Sequence, residues 1–158
     1  MGKINVRKAM DYLKTSLAKI WGISVRDLDS KFDFSSDKYK GESVERLYAE
    51  HAIDEDGEFK VDINLSVYES GFTYFSVTYG ELEPTYNNQV LLNELNYSTQ
   101  LKTYIDEDDD LVSIWCFNAV DEKSFSHYFI DFMDMLDRIL DQEVFQDEIF
   151  NKITPIED

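Results

Sequence analysis

The sequence is poor in the residues from which most catalytic and metal-binding signatures are built. Its 158 residues include one cysteine, two histidines and six glycines. A lone Cys116 cannot form an intrachain disulfide, which suits a reducing compartment. Cys116 lies in an apolar run, so it is expected to be a buried, inert thiol rather than a nucleophile. His51 and His127 are far apart, without HExxH spacing, whereas a zinc site needs three or four converging ligands. Both are read as structural or surface histidines. The scattered glycines form neither GxGxxG nor a P-loop, and no GxSxG nucleophile elbow occurs. No apolar run approaches the roughly 20 residues of a membrane span. The opening "MGKINVRKAMDYLK" lacks the continuous apolar stretch of a secretion signal. Val6 stands where a myristoylation motif has Ser or Thr. The expected location is cytoplasmic, with no catalytic residue, cofactor or metal assigned.

Positive charge is also scarce. Fifteen Lys/Arg face 33 Asp/Glu, a formal net charge of −18. The imbalance is uneven: residues 1–41 hold nine Lys/Arg against five Asp, a net +4, while residues 42–158 hold six against twenty-eight, a net −22. An acidic body of this kind repels nucleic acid and anionic membranes and favours basic partners. Hydrophobic residues at 43% and aromatics at 15% still supply a core, so the chain is not a disordered polyanion. The simplest organisation is one domain over 1–158, with a basic helix and connector (1–41) before an acidic body (42–158).

Within residues 4–21, Val6, Met10, Leu13, Leu17, Ile20 and Trp21 recur at helical spacing, and Gly22 stops the run. Residues 22–42 show no sustained period and read as a connector with at most one helical turn. Residues 44–53 fit a strand or a helix; strand is preferred, because "DEDG" (54–57) then turns the chain into a clear one. There Phe59, Val61, Ile63, Leu65 and Val67 alternate with polar residues. A third strand follows at 72–79. Pro84 and Thr85 then introduce a helix over 86–97 with Val90, Leu91, Leu92 and Leu95 as its apolar face. A hairpin follows, with strands at 101–105 and 111–117. Asp121 is placed to cap a long helix, about 122–151, with Asp131, Asp134, Asp137 and Asp141 along its outer side. The fold expected is α+β, an antiparallel sheet packed with helices in the order α-β-β-β-α-β-β-α.

Two features carry what function the sequence offers. Asp106–Asp110 tests as a calcium loop and fails: position six would be Leu111 and position twelve Phe117, where an EF-hand has Gly and Glu. It reads as a solvated hairpin turn. The aromatic content is the second feature. Tyr68, Tyr74 and Tyr79 fall on expected strands and are candidates, with Asp131, Asp134 and Asp137, for binding another chain. Ordinary sheet packing is the competing account of the tyrosines.

The segment "QVLLNELNYSTQLKTYIDEDDDLVSIWCFNAVDEKSFSHYFIDFMDMLDRI" resembles the YbjN-like family, which shares the fold of type III secretion chaperones. The resemblance rests on Asn93 and Asn96 in one helix, on the hairpin with the acidic turn, and on the capped last helix. It covers about residues 58–150. It implies an α/β sandwich-like domain without a catalytic site that binds segments of other proteins, with a homodimer as the usual assembly. The first helix follows the family in element order alone. The expectation is a non-enzymatic, acidic protein-binding module, chaperone-like or regulatory, for a basic or amphipathic protein or peptide. The alternative is an acidic inhibitor or immunity-type protein that blocks a basic surface.

Overall fold

The computed structural model describes residues 3–156. The first helix, α1 (Val6–Trp21), begins where Asn5 accepts a hydrogen bond from the Lys8 backbone N–H at 3.1 Å. It ends at Gly22 in the left-handed conformation, where a residue with no Cβ is cheapest. Its buried stripe is Val6, Met10, Leu13 and Leu17 as expected, but Ile20 is half exposed. A 3-10 turn (Val25–Ser30) follows.

The stretch read as a connector contains a strand. β1 (Asp33–Tyr39) pairs antiparallel with β2 (Glu42–Ala52), from Asp33↔Tyr48 to Tyr39↔Glu42. The link is the two-residue turn Lys40–Gly41, both with positive φ, 53° and 80°, which matches the twist of a tight hairpin. β1 escaped the sequence pattern because six of its seven residues are exposed, so burial imposes no alternation on them.

β3 (Lys60–Tyr68) and β4 (Phe72–Glu81) lie close to their expected positions, as do α2 (Tyr86–Ser98), β5 (Lys102–Ile105) and β6 (Asp110–Asn118). The last helix is shorter than expected. α3 (Phe125–Leu140) stops without Gly or Pro; the side-chain amides of Gln142 and Gln146 donate to the carbonyls of Arg138 and Leu140 at 3.2 and 2.8 Å. Those carbonyls would otherwise be orphaned at a helix end. A π-helical turn (Val144–Ile149) and a 3-10 turn (Phe150–Lys152) follow, and then β7 (Thr154–Pro155), which pairs with β4. The result is an α+β fold with one seven-stranded antiparallel sheet, ordered β1-β2-β3-β4-β6-β5, with β7 added on β4.

The chain forms two compact units, each assembled from three stretches. The first comprises the described residues to 49 with 64–75 and 116–132; the second comprises 50–63, 76–115 and 133–156. Both draw on β2, β3, β4, β6 and α3. In the first unit the core gathers Leu13, Leu17, Leu47 and Leu65 with a ring cluster. There Trp21 meets Phe32 edge-on at 5.1 Å, and Phe75 lies 4.9 Å from Phe132. In the second unit Val77, Tyr79, Leu95, Leu111 and Leu136 are buried, and Tyr79 lies 5.5 Å from Phe145.

Candidate binding surface

Strand parity decides which tyrosines can meet a partner. Tyr74 and Tyr79 on β4 are five residues apart, and an odd offset puts them on opposite faces. Tyr79 is fully buried, and its hydroxyl shares a 2.8 Å hydrogen bond with Ser113, which in turn meets Thr103 at 2.6 Å. Burial raises its pKa, and the bond with Ser113 only partly offsets that. Tyr79 is thus a core residue, and its place among the partner-binding candidates is corrected. Tyr74 is half-buried. Tyr68 is half-buried too, in the middle of an aromatic row in the first unit: Tyr39 lies 6.0 Å away on one side and Phe72 5.6 Å away on the other. Tyr39 and Phe72 are 49% and 40% exposed, so the row reaches the surface through two residues that the sequence reading passed over.

Asp131, Asp134 and Asp137 are all exposed along one side of α3. The Asp137 carboxyl is held above the usual carboxylate range by partial burial, then by repulsion from Asp141 and Asp134; His51 pulls the other way. His51 is half-buried on β2, and burial lowers its pKa against the attraction of Asp137. His127 is exposed. Cys116 is exposed as well, contrary to the buried thiol expected. It follows Trp115 on β6 and so faces away from the side that carries Ser113.

The acidic run is a hairpin turn between β5 and β6. Asp106 organises it, its Oδ1 accepting from the backbone N–H of Asp108 at 2.9 Å and of Asp110 at 3.0 Å. Asp109 takes a positive φ of 64°, a conformation that Asp tolerates better than most residues. Asp110 is pushed above its ordinary pKa by burial, then by Asp106 and Glu81. Among the described residues no three His, Cys, Asp or Glu side chains are placed to share a metal ion.

The most informative electrostatic feature is how charge divides between the units. Among the described residues the first unit holds eleven Asp/Glu and eleven Lys/Arg, while the second holds twenty Asp/Glu against four Lys/Arg. The basic residues of the first unit are balanced in number within it, and two of them at the start of the chain are paired. Lys3 Nζ lies 3.2 Å from Glu69, and Arg7 Nε lies 3.6 Å from Glu45. Glu45 is buried and also accepts from Ser36 at 2.7 and 2.8 Å. It forms part of an open cavity of about 760 Å³ between the start of α1 and the β1–β2 hairpin. Three basic and three acidic side chains line that cavity, so its formal charges cancel.

The helix α2 adds a surface that the sequence reading missed. Of the four residues taken as its apolar face, Leu92 and Leu95 are buried, Leu91 is half-buried, and Val90 is 45% exposed on the opposite side. Tyr86 and Tyr97 share that side at 82% and 95% exposure. The signal was available in helical spacing, since 86, 90 and 97 recur at intervals of four and seven.

Compared with protein-family models and with curated proteins, the chain matches none. Among the described residues, no helix is long and apolar enough to cross a membrane.

Proposed function

We propose that the chain is a non-enzymatic, acidic protein-binding module, chaperone-like or regulatory, whose partner is a basic or amphipathic protein segment. The observation that carries this reading is the charge of the second unit, twenty acidic against four basic residues. Such a surface raises the local concentration of basic partners and speeds their encounter, while it repels nucleic acid and anionic lipid. Exposed aromatic side chains add what charge alone lacks, an apolar body that can be desolvated on contact. The YbjN-like resemblance of residues 58–150 supports the same role, in the cytoplasm.

The test is the affinity of the full chain for lysine-rich peptides as salt is raised. Binding that weakens steeply with ionic strength is the expected result. No binding at low salt overturns the reading.

A second reading is an inhibitor or immunity-type protein that blocks the basic surface of one folded partner. Asp131, Asp134 and Asp137, exposed on one side of a single helix, favour it, because a blocker needs its carboxylates on a rigid face.

A further inference from the structure

The second unit is acidic almost throughout, yet one of its helices carries a single charge. The thirteen residues of α2, "YNNQVLLNELNYS", include only Glu94 as an ionisable acid or base of the Asp, Glu, Lys, Arg and His set. At 100° per residue, Tyr86, Val90, Asn93 and Tyr97 fall within about 60° of one another. The side chains that α2 buries, Asn88, Leu92 and Leu95, lie opposite. Tyr86 and Tyr97 are among the most exposed large side chains of the protein, and Val90 lies between them. The stripe is therefore two tyrosines, a valine and one asparagine, uncharged, turned to solvent, and laid out at the i, i+4, i+7, i+11 spacing with which one helix reads another.

Exposed carboxylates belong to the same part of the chain: Glu94, on α2 itself, falls about 40° round the helix from Val90. At the N-terminal end is exposed Glu83, whose carbonyl accepts from Asn88 Nδ2 at 2.8 Å. The π-helical turn packs against α2 and brings exposed Glu143, Asp147 and Glu148; Ser98 of α2 and Gln142 meet there at 3.1 Å. A tyrosine-bearing, uncharged stripe in a unit of twenty acidic against four basic residues is complementary to a helix that has an apolar stripe flanked by Lys or Arg. It suits a second copy poorly, because each copy carries a formal charge of −18 and like charges would meet.

We propose that the Tyr86–Val90–Asn93–Tyr97 stripe of α2 docks a basic amphipathic helix of a partner protein. This rests on the acidic-module reading above and assigns it a site. The tyrosine rings supply contact area at small entropic cost, and the carboxylates of the unit set orientation and encounter rate.

The experiment uses the full chain and two synthetic peptides of one composition. One places leucines in a helical stripe flanked by lysines; the other is scrambled so that no stripe forms. Titration calorimetry at low salt is expected to show the striped peptide binding about tenfold or more tighter. The double variant Tyr86→Ser, Tyr97→Ser should abolish that preference and leave the weaker, charge-driven binding common to both peptides. Both side chains are exposed, and an unchanged circular dichroism spectrum confirms that the variant folds. Equal affinity for the two peptides, or a preference that survives the double substitution, overturns the α2 site while leaving the acidic module standing. Failure of both peptides to bind overturns both. If sedimentation shows that the chain self-associates and the double variant does not, the stripe is a contact between copies and the proposal falls.

Discussion

Asn96 holds both backbone groups of Thr103: its Nδ2 donates to the Thr103 carbonyl and its Oδ1 accepts from the Thr103 N–H, each at 2.7 Å. One amide side chain thus stands in for a neighbouring strand along β5, the last strand in the sheet order. Thr103 therefore offers no free backbone group to a further strand, which blunts the edge at its middle. Replacing Asn96 with Leu leaves a donor and an acceptor without their partner, at a cost of about 1–3 kcal/mol. Urea unfolding should show the midpoint fall with an unchanged slope. A variant as stable as the parent would mean that water replaces the amide without loss.

Gly80 lies where β7 meets β4, paired with Pro155, at a φ of 137°. A Cβ there would collide with the carbonyl oxygen of Thr154. Gly80→Ala is expected to cost about 2 kcal/mol or more, through clash and backbone strain together. Hydrogen exchange should localise the damage, with amides of residues 150–156 losing protection first. Uniform loss across the chain would contradict a local cause.

The hydroxyl chain of Tyr79, Ser113 and Thr103 is buried, and burial keeps the Tyr79 phenol protonated well above its ordinary range. The unfolded chain releases this proton near pH 10, while the folded one resists. Its contribution to stability is whole below that pH and is lost as pH rises toward the folded value. Tyr79→Phe should therefore be slightly less stable at neutral pH, by about 1 kcal/mol. It should also lose stability more gently than the parent above pH 10. Parallel curves for parent and variant would show that the phenol does not resist ionisation.

How much of this was legible beforehand depended on whether burial left a mark on the residue pattern. β3 was, because Val61, Ile63, Leu65 and Val67 are all buried and their neighbours are not equally so. Leu65→Asp should accordingly be severely destabilising. β1 was not, since an exposed edge strand needs no alternation. On α2, apolar residues on both sides made Val90 look like core. The compact units divide the charge otherwise than residue 41 does, because they are discontinuous in sequence: Glu45, Glu69 and Glu122 meet Arg7, Lys3 and Asn5 from three separate stretches.

His51 and Asp137 titrate against each other. Burial favours the neutral imidazole, so below about pH 6.5 the unfolded chain takes up a proton that the folded chain resists, and stability falls with pH. Asp137 has the opposite sense. Its raised pKa makes the folded carboxyl accept a proton before the unfolded one, so this contribution grows as pH falls through that raised value. In Asp137→Asn the attraction that supports the imidazolium is gone, and His51 should titrate at a lower pH by NMR. An unchanged His51 titration would mean the two groups do not interact.

The row Asp131, Asp134 and Asp137 separates the two functional readings. A blocker of one rigid basic surface uses fixed carboxylates in register with fixed cations, and losing three of them should weaken its complex by about 30-fold or more. A module that docks a segment through apolar contact, with charge spread over the whole second unit, should lose no more than about threefold, mostly in association rate. The triple variant Asp131→Asn, Asp134→Asn, Asp137→Asn removes exposed like charges from one helix face, so its fold should hold and its stability should rise slightly. Stopped-flow binding of a basic peptide then decides the matter. Slower association at a nearly constant dissociation rate supports the segment-binding module. A complex that dissociates many times faster places the determinant on α3 and supports the inhibitor.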